Sequence, residues 1–175
     1  PGQRLAMTEI AADQLLLPEV TEVWDAELHR EGRSYTADTL EAAAERWPGA
    51  ELWLLMGTDM FLTLHQWHEP ERILALAGVC AFGRTEADGE AVFAPQREYL
   101  SKTCGARIAT ISIPGLVDIS STRLREELAA GAGRGFLPEA VYGYILREKL
   151  YGTNADLKRL SLEELRCVSY SMVFA

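Results

Sequence analysis

Glu51-Leu52-Trp53-Leu54-Leu55-Met56-Gly57-Thr58-Asp59 decides the fold. A short apolar run without helical period stops at a glycine followed by two polar residues. Such a run reads as a strand of a sheet covered on its faces by other elements. Outward from it, Ala37–Trp47 has a helical pattern that Pro48-Gly49 stops. On the other side come a helix over Glu69–Ala77 and a strand over Gly78–Phe82, which ends at Gly83-Arg84. A helix over Pro95–Thr103 and a strand of alternating β-branched residues over Arg107–Ile113 follow. Farther out, helices are expected over Arg4–Leu15, Thr122–Ala130 and Pro138–Leu150, with Pro138 in a first turn and Gly131 as a stop. Val20–Trp24 is expected to be a short strand, and Asp25–Ser34 a polar loop. Alternating strands and helices predict an α/β fold: a mostly parallel sheet with helices on both faces. Ligands of such sheets sit outside the carboxyl ends of the strands.

Composition narrows the function. The chain has 175 residues, 48% of them hydrophobic, enough for one ordinary core. With 17 basic and 26 acidic residues the net charge is −9, which argues against a nucleic-acid or anionic-membrane binder. A small phosphorylated ligand needs only a few local arginines. Cys80, Cys104 and Cys167 lie far apart with no CxxC spacing, so free thiols in a reducing compartment are expected. No apolar run approaches membrane length and no signal peptide is visible, which points to the cytoplasm. The sequence leaves self-association open.

The ends read as those of a piece of a longer protein. Pro1-Gly2 leads straight into helical pattern, and Met172-Val173-Phe174-Ala175 stops inside an apolar stretch. Gly152–Leu160 is a polar joint, after which Ser161-Leu162-Glu163-Glu164 has capping-box form. Residues 1–152 are therefore expected to be the α/β domain, and 153–175 a linker and the first helix of an extension.

Four constellations could carry chemistry. Ile119-Ser120-Ser121-Thr122-Arg123-Leu124-Arg125 sets three hydroxyls and two guanidinium groups at a helix start. Free N–H groups, helix dipole and arginines together suit a phosphate, although Ser121 as a plain N-cap explains part of it. Ser34-Tyr35-Thr36 opens another helix, with Ser34 or Thr36 as cap. Its N–H groups suit a carboxylate and Tyr35 could wall a flat ring, but an ordinary capped helix with Asp38 favouring the dipole accounts for the same residues. Gly57 allows close backbone approach, and Asp59 can accept bonds from a ribose or start a short helix. Trp67 is a stacking or core residue, and Arg84 follows a strand where a phosphate could lie. His65 and His68 lack a third metal ligand, so a surface or structural role is expected and no metal site is assigned. Neither GxSxG nor GxxxxGK[ST] occurs, so a covalent intermediate is not supported.

The ordered set resembles bacterial nicotinate-mononucleotide adenylyltransferase, of the nucleotidyltransferase superfamily. The likeness rests on Glu27-Leu28-His29-Arg30-Glu31-Gly32, Ser34 through Leu40, Gly57-Thr58-Asp59, Trp67, Arg84 and Ile119 through Arg125. Leu137-Pro138, Val141, Tyr144-Ile145 and Leu150-Tyr151 extend it, so it covers nearly all of residues 3–152. It implies a Rossmann-like doubly wound parallel sheet. It also implies adenylyl transfer from ATP to nicotinate mononucleotide, with Mg²⁺, giving the deamido dinucleotide and pyrophosphate in NAD biosynthesis. Carried over, Tyr35 and Thr36 would take the nicotinate carboxylate on backbone N–H groups and Trp67 would stack on the pyridine. Asp59 and Gly57 would line the nucleotide cleft, with Arg84 near phosphate. Ser120, Ser121, Thr122 and Arg125 would hold the triphosphate. The family's opening strand and loop, of the form GGTFNPxHxGH, is absent, and no histidine here has HxGH spacing. No catalytic residue is therefore assigned, and turnover by this chain alone is not expected. The tail from Ser161 resembles the first helix of a fused HD-type phosphohydrolase domain, with a plain terminal helix as the alternative. Other readings are transfer to nicotinamide mononucleotide or phosphopantetheine, or a non-catalytic nucleotide-binding module.

Overall fold

Three parallel strands make the sheet: β1 (Leu52–Gly57), β2 (Ala77–Phe82) and β3 (Ile108–Ile111), in that order. They belong to a computed structural model that describes residues 1–15, 18–83, 88–111 and 119–153. Leu54 pairs with Val79, and Val79 with Ile108, so side chains of equal parity share a face. Leu52, Leu54, Met56, Ala77, Val79, Ala81 and Ile108 point to one face and enter the main core. Trp53, Leu55 and Ile111, of opposite parity, are exposed. The parallel α/β expectation holds, and strands β1 and β2 fall where the apolar runs place them.

The chain divides into two compact units, Pro1–Leu28 with Ile119–Ala175, and His29–Asp118. The second holds the sheet and the helices α2 (Thr36–Arg46), α3 (Thr58–Thr63), α4 (Pro70–Leu76) and α5 (Glu90–Cys104). Ala37, Leu40 and Ala43 form the buried stripe of α2, while Asp38 in its first turn and Arg46 in its last suit the helix dipole. Phe61 of α3 is fully buried and meets Phe93 of α5 at 5.8 Å between ring centroids. Helix α5 starts at Glu90, five residues before the expected Pro95. Burial of both Phe93 and Leu100 on one face outweighs the donor lost at the interior proline. Gly105 ends α5 at φ +63, a left-handed position that suits glycine.

In the first unit, α1 (Gly2–Ala12), α6 (Ser121–Ala129) and α7 (Glu139–Arg147) share a smaller core. Met7, Ile10 and Ala11 of α1 pack against a cluster of Leu128, Val141, Tyr142, Ile145 and Leu146. Helix α7 stops before Leu150 because Lys149 takes a left-handed conformation, and a 3₁₀ turn over Leu150–Gly152 follows. The buried Thr153 hydroxyl donates to the Leu150 carbonyl at 2.8 Å.

One expected element is corrected. Val20–Trp24 is not a strand: a 3₁₀ turn covers Pro18–Val20 and no ladder includes the residues after it. Val20 is 76% exposed, so burial of its β-branched side chain does little to reward extended pairing. The loop over Asp25–Ser34 contains a 3₁₀ turn at Ala26–Leu28. Arg84, the end of the expected strand at Ser112-Ile113, Cys167 and the capping box at Ser161 lie outside the described residues.

Candidate functional site

In the second unit, helix α2 opens on a residue whose own side chain makes no capping bond. Tyr35 is the N-cap residue, extended at φ −105 and ψ 144, and no side chain bonds back to the first turn from it. The N-cap position thus falls on Tyr35, between Ser34 and Thr36, the two residues expected there. First-turn N–H groups have no partner within their own helix, so the N–H groups of Thr36, Ala37 and Asp38 depend on partners from outside it. The Tyr35 carbonyl accepts from Thr39 N at 3.2 Å.

Facing this start is the turn before α4. The Trp67 N–H donates to the Leu64 carbonyl at 3.1 Å, and Trp67 itself is extended at φ −72 and ψ 168. Glu69 is left-handed at φ 52, costing about 1 kcal/mol for a residue with a Cβ. The turn brings the His68 ring to 3.9 Å from the Tyr35 ring, centroid to centroid, at 30° between planes. A cavity of about 320 Å³ results, lined by Ser34, Tyr35, Thr36, Met60, Trp67, His68 and Ile73. Tyr35, Thr36 and Trp67, three of the residues marked out by sequence, therefore share one cavity. His68 was assigned a surface or structural role; its contact with Tyr35 needs the tertiary fold to be seen. Met60 has no local signal at all.

Gly57 and Asp59 lie where β1 ends. Gly57 is buried and is the N-cap of α3, and Asp59 sits exposed in the first turn of that helix. Between them Thr58 is buried, its hydroxyl 2.8 Å from an Asp88 carboxylate oxygen and 3.4 Å from the Phe82 carbonyl. Thr58 thus ties the carboxyl end of β1 to that of β2, where ligands of parallel sheets bind. Asp59 is not among the residues lining the cavity of Tyr35 and Trp67.

In the first unit, helix α6 opens differently. Ser120 is the N-cap, and its hydroxyl oxygen accepts from Arg123 N at 3.2 Å. Ser120, not Ser121, therefore plays the capping role. Ser121, Thr122 and Arg125 are exposed around this start. Arg123 is turned along the helix, with Nε 3.1 Å from Glu127 Oε1. The Arg125 guanidinium lies 6.0 Å from the centre of the Tyr151 ring, within cation–π range. Ser121, Arg125 and Tyr151 border a cavity of about 400 Å³ with an apolar floor that includes Leu124, Leu128 and Ile145. So the predicted phosphate residues sit together at one helix start, with one hydroxyl oxygen engaged in the cap.

No family model matches the chain. Curated relatives do. It is 36% identical over 149 residues to a Gemmatimonas aurantiaca protein named probable nicotinate-nucleotide adenylyltransferase, covering 85% of this chain and 67% of that one. A Herpetosiphon aurantiacus protein of the same name is 36% identical over 152 residues, covering 85% and 72%. The chain belongs to the nicotinate-nucleotide adenylyltransferase family. A third family member, from Lachnoclostridium phytofermentans, is 36% identical over 130 residues, 74% of this chain and 64% of its own length. The chain spans about two thirds of the length of these adenylyltransferases. Among solved structures, Plasmodium falciparum nicotinic acid mononucleotide adenylyltransferase complexed with APC matches with a TM-score of 0.70 at 19% identity, over 87% of this chain and 76% of that one. The same enzyme complexed with NaAD matches equally well, with a TM-score of 0.70 over 88% and 75%. At that identity the likeness establishes the Rossmann-like fold. No helix among the described residues is long and apolar enough to cross a membrane.

Proposed function

We propose that this chain takes part in adenylyl transfer from ATP to nicotinate mononucleotide, in the cytoplasm, as a step of NAD synthesis. The observation that carries the reading is the cavity shared by Tyr35, Thr36 and Trp67 at the start of α2. A helix start offers N–H donors and positive dipole to a carboxylate, and the indole offers a face to a flat ring. A nicotinate ring needs both; a pantetheine arm needs neither.

In the reaction an oxygen of the mononucleotide phosphate attacks the α-phosphorus of ATP. The bond from that phosphorus to the bridging oxygen breaks, and pyrophosphate leaves with the electron pair. No protein nucleophile is required, so the protein's contribution is positioning and charge stabilisation. Tyr35, Thr36 and Trp67 are assigned to the acceptor, with Gly57 and Asp59 lining the nucleotide cleft and Arg84 near a phosphate. Ser120, Ser121, Thr122 and Arg125 are assigned to the triphosphate. Because the Ser120 oxygen accepts from Arg123 N, Ser120 would serve the ligand chiefly as a hydroxyl donor. Mg²⁺ favours phosphate oxygens and waters over an all-protein cage. No group of three His, Cys, Asp or Glu side chains among the described residues could hold a metal ion. The ion would enter on the triphosphate and supply charge neutralisation there.

Calorimetric titration with nicotinate mononucleotide and with its amide tests this. Tighter binding of the acid, by about tenfold, is expected for a charge-assisted contact. Equal affinity would remove the carboxylate assignment.

A further inference from the structure

The acceptor cavity has two walls that belong to different helices. Tyr35 and Thr36 stand at the start of α2, and Trp67 and His68 immediately before α4. Behind both walls lies Arg72, in the first turn of α4. Its Nη1 is 2.8 Å from Glu69 Oε2 and 3.3 Å from Asp38 Oδ1, and its Nη2 reaches Glu41 Oε2. Asp38 follows Thr36 by two residues, and Glu69 follows His68 directly. One guanidinium thus joins the back of the Tyr35 wall to the back of the Trp67 wall.

We propose that Arg72 is the positioning residue of this cavity: it holds the two walls in register and offsets the carboxylates beside the carboxylate-binding helix start. The inference rests on the acceptor reading given above. Two arguments support it. First, the Arg72 side chain is 35% exposed, and ion pairs of that exposure contribute little to stability. Three carboxylate partners on one planar fork are better explained by geometry than by folding energy. Second, Asp38 lies in the first turn of α2, where its charge favours the helix but opposes an incoming anion. Arg72 stands against that carboxylate. The bond with Glu69, and with it the charge of Glu41, holds Arg72 above its ordinary range, so it remains a cation throughout.

Calorimetry on the full chain tests the inference with Arg72→Gln and Arg72→Lys, using nicotinate mononucleotide, its amide and ATP as probes. Arg72→Gln is expected to weaken the acid mononucleotide about tenfold, the amide less, and ATP not at all. Arg72→Lys keeps the charge without the fork and should recover only part of the loss. Adding Asp38→Asn to Arg72→Gln should also recover binding of the acid. Unchanged affinity for the acid in Arg72→Gln, or equal losses for acid and ATP, would overturn the proposal. Should Arg72→Gln not fold, the same comparison in Arg72→Lys decides, because a loss confined to the acceptor is still expected there. Should the unmodified chain bind neither mononucleotide, the acceptor reading fails and the positioning role is judged without ligand. Faster amide exchange over Thr36–Thr39 in the variant would then support it, and unchanged exchange would overturn it.

Discussion

Helices α2 and α6 both begin where sequence predicts an anion, but they begin in opposite ways. At α6 a serine oxygen already accepts a backbone N–H, and hydroxyls and Arg125 stand exposed around it. At α2 the N-cap residue is a tyrosine whose side chain makes no capping bond and whose ring lies against His68. The α6 start therefore carries its own cap and offers exposed hydroxyl and guanidinium donors, as suits a triphosphate. The α2 start is bordered by the Tyr35, Trp67 and His68 rings and a left-handed turn at Glu69, as suits a rigid aromatic acid. A helix N-terminus is generic; what its cap does with the first-turn donors is what separates the two.

The largest effect that bears on this contrast comes from the core beneath the α2 side. Phe61→Ala is expected to destabilise the chain by about 3–5 kcal/mol in urea unfolding, because Phe61 is fully buried against Phe93. A loss below about 1 kcal/mol would mean that the rigid wall lacks the support claimed for it. Next, Trp67→Ala should weaken nicotinate mononucleotide about tenfold in calorimetry while leaving ATP unaffected. Parallel losses for both ligands would erase the division between the two starts.

Ser120→Ala should lower stability by about 1 kcal/mol, the usual cost of a lost N-cap, whereas Ser121→Ala should stay within about 0.5 kcal/mol. Both should weaken ATP. If the two substitutions proved equally destabilising in thermal unfolding, the capping role would not belong to Ser120 alone.

The smallest effect belongs to a control pair outside both starts. The Arg97 hydrogen bond to Glu90 holds that carboxyl below its ordinary value. Its folded pKa is thus lower than its unfolded one, so the stabilisation is present above the ordinary carboxylate range and is lost as pH falls through the lowered value. Denaturant titrations between about pH 6 and about pH 3 should show a slightly shallower acid slope in Arg97→Gln. An identical slope would show that the pair is silent.

Much of this was legible before any fold was known. Strands β1 and β2, the glycine stop at Gly57 and the helix ends near Trp47, Thr103 and Gly131 follow from local pattern, because apolar runs and breakers act over a few residues. Val20–Trp24 misled for the complementary reason: a strand needs a neighbour, and propensity does not supply one. Helix α5 ran past Pro95 because burial of Phe93 is a tertiary gain that local punctuation does not register. At the site, Tyr35, Thr36 and Trp67 could be marked individually, but not as walls of one cavity.

By itself the sequence determined the α/β order, the acidic balance, the family likeness and the residue types suited to phosphate, carboxylate and ring. Only the tertiary structure decided which serine caps α6, that Tyr35 takes the N-cap position of α2, that His68 faces Tyr35 and that Arg72 of α4 reaches Asp38 and Glu41 of α2. Capping depends on a backbone conformation one residue wide, and the contacts of Tyr35 with His68 and of Arg72 with Asp38 and Glu41 join residues more than 30 positions apart. Local propensity cannot encode either, because both are set by packing that brings distant segments together.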